Sequence, residues 1–444
     1  MASAQKLWDF AWLAEKFNTI FFVKNMTTEI RKLKNGLTII SQNIPHLKTV
    51  AINVMVKAGS RDETETNNGI SHLLEHMAFK GTSKRSAQRI ADEFDNIGGY
   101  NNAYTSRENT SYHCKVIDSE WKVALEIMSD ILLNSNFPED ELEREKDVVL
   151  QEISENNDSP DDVVSDIFQA SAFPNQALGR SILGNPETVK AITREQLLDH
   201  MHQYYKPSNM VLSAAGNINI DELAEEAEKL FVFDSYENTT LVYSNASYGG
   251  GISIRKDNFE QVHLVIGFQG LPYKDANYYT QHVLSTLLGG SMSSRLFQEV
   301  REKRGLAYSI GTNVNPYDET GTFTINVGTS EEKYREVIEV SIAELAKVMD
   351  SVTEEEVERS KKQLISGLVM AAENSNFCAD EAAKCLLTHG RYIENEEVFE
   401  KINRVTSTDI VALAKRLFNS KMSFAATGRI ESSSSINIGE TAFA

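Results

Sequence analysis

Hydrophobic and polar residues along this chain form two kinds of pattern, which alternate in blocks from about residue 27 to residue 430. Short apolar or alternating runs bounded by turn residues predict strands at 37–41, 50–56, 102–105, 110–117 and 210–215. Longer segments with helical periodicity and helix-start signals predict helices at 86–97, 120–133, 139–155, 163–172 and 193–205. Strands and helices in this order predict an α+β protein in which helices pack on a sheet.

The pattern occurs a second time after a polar stretch at 233–251, which ends in three glycines and is typical of a linker. The later elements, which include a strand at 262–268 and a helix at 278–288, follow their counterparts by about 210 to 215 residues. At the residue level, 353–359 resembles 138–144. Self-similarity at this period predicts a duplicated domain. We therefore expect two homologous halves, each an antiparallel-rich mixed sheet with helices packed on it.

These patterns divide the chain into five segments. We expect an N-terminal extension outside the fold at 1–26, a first half at 27–235, a linker at 236–251, a second half at 252–430 and a flexible tail at 431–444. The extension is partly amphipathic, but Asp9 and Glu15 are unlike a transit peptide, which is poor in acids.

Composition narrows the function classes. The formal net charge of −20 argues against a nucleic-acid partner, because phosphate binding needs a basic face. The same charge suits a basic polypeptide substrate or simply a soluble protein. Three cysteines without C-x-x-C spacing favour a reducing compartment. No apolar run is long enough to predict a membrane span.

The stretch with the clearest chemistry is His72-Leu73-Leu74-Glu75-His76. On a helix, His72 and His76 lie one turn apart on one face, so both imidazoles can bind one metal ion. Glu75 lies beside them and can take a proton from a water molecule. This is H-x-x-E-H, the inverted zinc-peptidase motif, and a catalytic zinc site needs one more protein ligand.

The acidic helix predicted at 139–155 offers that third ligand from four glutamates, Glu143, Glu145, Glu152 and Glu155. Glu145 and Glu152 are two turns apart on one face, so both can point at the same site. The second half provides an internal comparison, in which His282, Ser285, Thr286, Ser360 and Gly367 stand opposite His72, Glu75, His76, Glu145 and Glu152. Because four of the five groups are lost together, we expect the second half not to bind metal.

With its second copy, the motif resembles the inverzincin peptidases of the pitrilysin family, in particular the mitochondrial processing peptidase β subunit and its bacterial homologues. The resemblance covers residues 27 to 430. In that family a glutamate follows the motif after 74 to 76 residues, and here 75 residues separate His76 from Glu152. The resemblance implies one Zn²⁺ per chain held by His72, His76 and Glu152, with Glu145 supporting the site. It also implies that Glu75 is the general base of a metalloendopeptidase.

The resemblance implies further site residues. Residues 98–105 resemble the family's edge strand, to which an extended peptide substrate adds through Asn102, Ala103 and Tyr104. Arg301 and Tyr308 match the family's pair that reaches the substrate near the scissile bond. In chains of this length that pair comes from a partner, which implies a homodimer, or a heterodimer with a homologous subunit, around a closed chamber.

Several alternatives stay open. The second function hypothesis is a non-catalytic structural subunit related to respiratory-complex core proteins, which the intact metal set disfavours. The substrate is either presequence-like or a small peptide. The compartment is the bacterial cytoplasm, favoured by the lack of a transit peptide, or the mitochondrial matrix. His200 and His202 are expected to be surface residues and not ligands.

Overall fold

The chain forms two β-sheets with helices packed on them, as seen in a computed structural model that describes residues 26–233 and 246–430. Nearly all of the predicted N-terminal extension, most of the predicted linker and the whole predicted tail lie outside the described residues. The first sheet belongs to the first half of the chain and the second sheet to the second half. The segment boundaries proposed above stay a prediction, although strand β7 already begins at Gly251, the last residue of the predicted linker.

The elements of the first half begin with a strand that sequence patterns did not predict, β1. The strands are β1 (Thr27–Lys32), β2 (Thr38–Asn43), β3 (Thr49–Val56), β4 (Tyr100–Thr105), β5 (Thr110–Ile117) and β6 (Met210–Gly216). The helices are α1 (Ile70–Ala78), α2 (Ala87–Asn96), α3 (Trp121–Leu133), α4 (Glu139–Asp158), α5 (Pro160–Ala172), α6 (Pro186–Ala191), α7 (Arg194–Tyr204) and α8 (Ile220–Leu230). Helix α7 begins after the predicted capping box, in which the Thr193 hydroxyl accepts from the Gln196 amide and the Gln196 side chain accepts from the Thr193 amide.

The second half has its own set of elements. The strands are β7 (Gly251–Lys256), β8 (Val262–Gly270), β9 (Ala307–Pro316), β10 (Gly321–Thr329) and β11 (Met422–Gly428). The helices are α9 (Tyr278–Gly289), α10 (Tyr334–Asp350), α11 (Glu354–Ala371), α12 (Ser375–His389), α13 (Asn395–Asn403) and α14 (Ser407–Phe418).

The two sheets have the same topology. The first runs β1-β2-β6-β3-β5-β4 and the second runs β7-β11-β8-β10-β9, so five strands occur in one order in both. The pairs β2–β6 and β7–β11 are parallel, and every other neighbouring pair is antiparallel. The predicted fold class, two homologous halves with antiparallel-rich mixed sheets, is confirmed.

One helix from each half packs against the sheet of the other half. Helix α5 of the first half packs on β8 and β11, where the Phe168 ring lies directly against Gly267. Helix α12 of the second half packs on β3 and β6, where Ala382 and Ala383 join a cluster with Met55. A side chain at Gly267 would collide with Phe168, so glycine is needed at this close approach. The halves therefore bury apolar surface against each other and form one packed body.

Among the described residues, no helix combines the length and the apolar composition needed to span a membrane.

Candidate metal centre and peptide-binding strand

The motif helix α1 is fixed at its N-terminus by a buried carboxylate. Glu63 accepts hydrogen bonds from the amides of Gly69 at 2.8 Å and Ser71 at 2.9 Å, and from the side chain of Asn68 at 2.7 Å. The two backbone amides are donors that a helix start otherwise leaves without partners. Burial raises the pKa of Glu63, and the three hydrogen bonds oppose that rise. Sequence patterns did not indicate Glu63, because it lies seven residues before the first residue of the helix and matches no capping motif.

One carboxylate oxygen lies between the two histidines of the motif. Glu152 Oε2, on α4, is 3.6 Å from Nε2 of His72 and 3.6 Å from Nε2 of His76. Among the described residues, His72, His76 and Glu152 are the one group of three possible metal ligands, with ligand atoms within 4.8 Å of one another. The predicted i, i+4 spacing on a helix thus gives two imidazoles on one face, and helix α4 brings a carboxylate to them.

Glu145 lies behind the second histidine. Its Oε2 accepts a hydrogen bond from His76 Nδ1 at 3.0 Å, and its Oε1 pairs with Lys80 at 2.8 Å. An ionised carboxylate can only accept, so Nδ1 carries a proton, and in the neutral imidazole Nε2 then keeps its lone pair towards Glu152. Burial opposes ionisation of Glu145, but the bonds from His76 and Lys80 outweigh it and lower its pKa.

The two histidines differ in their electrostatic surroundings. Burial, together with the charge of the nearby His76, lowers the pKa of His72 to about 4. Burial also disfavours the charged form of His76, but the Glu145 bond and the charges of Glu152 and Glu75 raise its pKa above the ordinary value.

The donor set fits a divalent metal ion such as zinc. His72 Nδ1 is buried and has no hydrogen-bond partner among the described residues. The Nε2 atoms of both rings converge on one carboxylate oxygen. Two imidazole nitrogens and one carboxylate oxygen match a catalytic zinc set with a further position left for water or substrate.

Glu75 is held by a residue from the neighbouring strand. The Thr105 hydroxyl, at the end of β4, donates to Glu75 Oε2 at 2.5 Å. Burial raises the pKa of Glu75, which the Thr105 bond and the charge of His76 oppose. A carboxylate with a raised pKa beside a metal site is suited to accept and return a proton. Thr105 lies within a predicted strand, but its role was missed because only the tertiary fold brings it to Glu75.

The predicted substrate strand is the edge of the first sheet. Strand β4 pairs with β5 on one side, and no strand in the described ranges pairs with the backbone groups on its other side. Ala103 and Tyr104 line a cavity of about 830 Å³ together with His72 and Glu75. Asn102 is exposed on the same strand, where its side-chain oxygen accepts from the Ala103 amide.

Arg301 and Tyr308 meet each other but not the metal centre. The Arg301 guanidinium lies 4.9 Å from the centre of the Tyr308 ring and 4.7 Å from that of Phe297. The side chain of Tyr308 is 78% exposed. In the described part of the chain, neither residue lines the cavity that contains His72 and Glu75.

Three other histidines were considered in the sequence. His282, the counterpart of His72, is half-buried on α9 beside the Tyr278 ring. The Ser285 hydroxyl forms a hydrogen bond with the Thr312 hydroxyl, and the Thr286 hydroxyl donates to the His282 carbonyl. The prediction that His200 is a surface residue is wrong, because it lies under the motif helix, 3.3 Å from the Ser71 hydroxyl. Helix α7 turns this residue inward, whereas His202 is exposed as predicted.

Fold and site together define a protein of two homologous halves with a possible metal centre in one of them. Residues 38–186 match the sequence profile described as Insulinase (Peptidase family M16), and residues 191–364 match the Peptidase M16 inactive domain. The chain belongs to peptidase family M16.

Named relatives and a solved structure extend this assignment. The chain is 41% identical to an uncharacterized zinc protease of Rickettsia felis, covering 88% of this chain and 95% of that one. It is 34% identical to the mitochondrial-processing peptidase subunit beta of Neurospora crassa, covering 91% and 88%. The crystal structure of a protease from Helicobacter pylori has the same fold, with a TM-score of 0.82 at 22% identity over 91% of this chain and 99% of that one.

Proposed function

We propose that this protein is a zinc-dependent endopeptidase that hydrolyses peptide bonds of unfolded or extended peptides. The observation that carries the proposal is the convergence of His72, His76 and Glu152 on one point, next to the half-buried carboxylate of Glu75. The names of the relatives, which are zinc proteases and a processing peptidase subunit, agree with it.

His72, His76 and Glu152 would hold the zinc ion, and Glu145 would keep His76 in the tautomer that leaves Nε2 free. Bound zinc would supply a Lewis acid that acidifies water and polarises a carbonyl group. Glu75 accepts the proton of the attacking water and returns it to the leaving amine, and the Thr105 hydroxyl fixes the orientation of this carboxylate.

The peptide would bind as an added strand along β4, with Asn102, Ala103 and Tyr104 offering backbone groups. Strand addition pairs backbone with backbone and therefore tolerates many sequences. The cavity of about 830 Å³ admits an extended segment and not a folded domain. Presequence-like segments and small peptides both fit this description.

Arg301 and Tyr308 would act on a site other than that of their own chain. Their contact with each other, the exposure of Tyr308 and their position away from the cavity support a partner chain as the recipient. The partner would be a second copy or a homologous subunit, and the two chains would enclose a chamber. The compartment in which the protein works, bacterial cytoplasm or mitochondrial matrix, stays a prediction.

A non-catalytic structural subunit is the competing function. Such a subunit has no need for two imidazoles, a carboxylate as third ligand and a base in one place. The first half keeps that whole set, which favours the peptidase.

The decisive experiment is cleavage of a mixed peptide library by the purified protein, with and without a chelator and with zinc added back. Cleavage should require zinc, and Glu75→Gln should reduce kcat by about 10²- to 10⁴-fold while zinc stays bound. Glu143→Gln is the matched control, because Glu143 is an exposed acid that pairs with Lys146 on the same helix as Glu152. Full activity of the Glu75→Gln protein, or equal activity after zinc removal, would refute the proposal.

A further inference from the structure

The turns of two equivalent hairpins, one from each half, meet at a buried arginine beside the candidate site. The β4–β5 turn covers residues 106–109, and the β9–β10 turn covers residues 317–320. The third residue is a glutamate in both turns, Glu108 and Glu319. The two turns touch directly, since the Asp318 amide donates to Glu108 Oε1 at 3.1 Å.

Arg61 joins these two equivalent glutamates. Its Nη1 donates to Glu108 at 2.5 Å and to Glu319 at 2.7 Å, and its Nη2 makes a second contact with Glu319. The arginine is 7% exposed and Glu108 is 6% exposed, so both charges are largely removed from water. Two carboxylates brought together there would repel each other, and a planar guanidinium can bind both at once.

The backbone next to Arg61 binds the first of these turns. The amides of Ser60 and Arg61 donate to the carbonyls of Ser106 and Arg107, at 3.2 and 2.8 Å. A side chain at Gly59 would collide with the Ser106 carbonyl, so the two segments are in the closest contact that backbones allow. The β4–β5 turn is therefore fixed from one side by 59–61 and from the other side by the second half.

This turn begins directly after Thr105, whose hydroxyl donates to Glu75. We propose that Arg61 is a positioning residue for the peptidase site: by holding Glu108 and Glu319 together it fixes the β4–β5 turn, and with it Thr105 against Glu75. The second half binds no metal under this proposal, yet its Glu319 contributes to the geometry of the general base. The inference rests on the proposed function.

The test compares two ion pairs that join the halves at the same turn. Glu319→Gln removes the charge that faces Arg61, whereas Lys57→Met removes the neighbouring pair with Asp318 at 2.8 Å, which does not involve Arg61. We expect Glu319→Gln to lower kcat about tenfold with KM within twofold and zinc content unchanged, because misalignment of a catalytic group acts mainly on kcat. Lys57→Met should leave both constants within about twofold. An equal fall in kcat in both variants, or none in Glu319→Gln, would overturn the inference.

A double-mutant cycle of Glu319 and Thr105 distinguishes a positioning effect on Thr105 from a general destabilisation of the fold. Thr105→Val removes the donor to Glu75, so Glu319→Gln should cause no further loss of kcat in that background. If the fold-losses of kcat in the two single variants multiply in the double variant, Glu319 does not act through Thr105. If Glu319→Gln does not fold, Arg61→Lys carries the same test, because it keeps the charge and removes the fork.

The inference and the proposed function fail in different ways. Wild-type protein without zinc-dependent cleavage would overturn both. An active, zinc-dependent enzyme in which Glu319→Gln behaves as Lys57→Met would overturn the inference alone.

Discussion

The imidazole of His76 donates to the carboxylate of Glu145 through Nδ1, at 3.0 Å. This bond determines which nitrogen faces the other ligands, because a protonated Nδ1 leaves the lone pair on Nε2. The two glutamates of α4, which are seven residues apart, therefore have different positions. Glu152 lies between the two histidines, and Glu145 lies behind His76.

The first prediction follows from that pairing. Glu145→Gln should weaken zinc binding about 10- to 100-fold, which is the usual effect of losing a partner of a metal-binding histidine. Glu152→Gln should weaken it more, because it removes a ligand. Competition with a chromogenic chelator measures both, with Glu143→Gln as the control that retains wild-type affinity. Equal affinity in the Glu145→Gln and Glu143→Gln proteins would contradict the assigned role.

The second prediction concerns the buried cap of the motif helix. In Glu63→Gln one side-chain oxygen must replace the two that accept from Gly69 and Ser71. We expect the free energy of unfolding to fall by about 1–2 kcal/mol and zinc affinity to fall with it. Urea denaturation and chelator competition are the measurements. Glu65→Gln, an exposed acid two residues away, should change neither, and a similar loss in both variants would exclude a capping role.

The third prediction tests whether Arg301 and Tyr308 act across a dimer. Glu75→Gln and Tyr308→Phe chains should each be nearly inactive alone. Mixed after unfolding and refolding together, they should regain about a quarter of wild-type activity, since half of the dimers are mixed and each mixed dimer has one intact site. Recovery of no activity would show that the pair does not act in trans.

The fourth prediction is a pH dependence of stability in the second half. Glu356 binds Arg295 at 2.6 Å and caps α11; burial opposes its ionisation, but these bonds lower its pKa to about 2. Because the folded pKa lies below the unfolded value of about 4.5, the ionised group stabilises the fold above pH 4.5, and this contribution is lost as the pH falls towards 2. The Tm of Glu356→Gln should therefore be lower than wild type at pH 7 and should approach it as the pH falls to 3. Glu355→Gln, an exposed neighbour, should give no such difference at pH 7.

Much of the local structure and half of the site could be predicted from the sequence. The spacing of His72 and His76 and the composition of the acidic helix are short-range features. Helical periodicity alone then predicts which of these side chains lie on the same face of a helix. The repeat of about 210 to 215 residues predicted two equivalent halves, and the common strand order of the two sheets confirms it. The choice of Glu152 over its neighbours needed the resemblance to a known family.

Other elements had weak local signals. Strands β1 and β7 are largely exposed edge strands with few apolar residues, so no hydrophobic alternation marks them. Helix α12 went unpredicted as well, and its buried face lies against the sheet of the other half. A local pattern does not specify which sheet a helix covers.

The sequence by itself predicted two candidate metal ligands and a set of acids for the third, the half that contains them and the layers that the chain builds. Only the tertiary structure decided that Thr105 binds Glu75, that Glu63 caps the motif helix and that Arg61 pairs with glutamates from both halves. The reason is physical: periodicity and spacing act over a few residues, whereas these contacts join side chains whose separation along the chain is not encoded in any local pattern. Their energies depend on burial and charge, which are set by the folded structure around them.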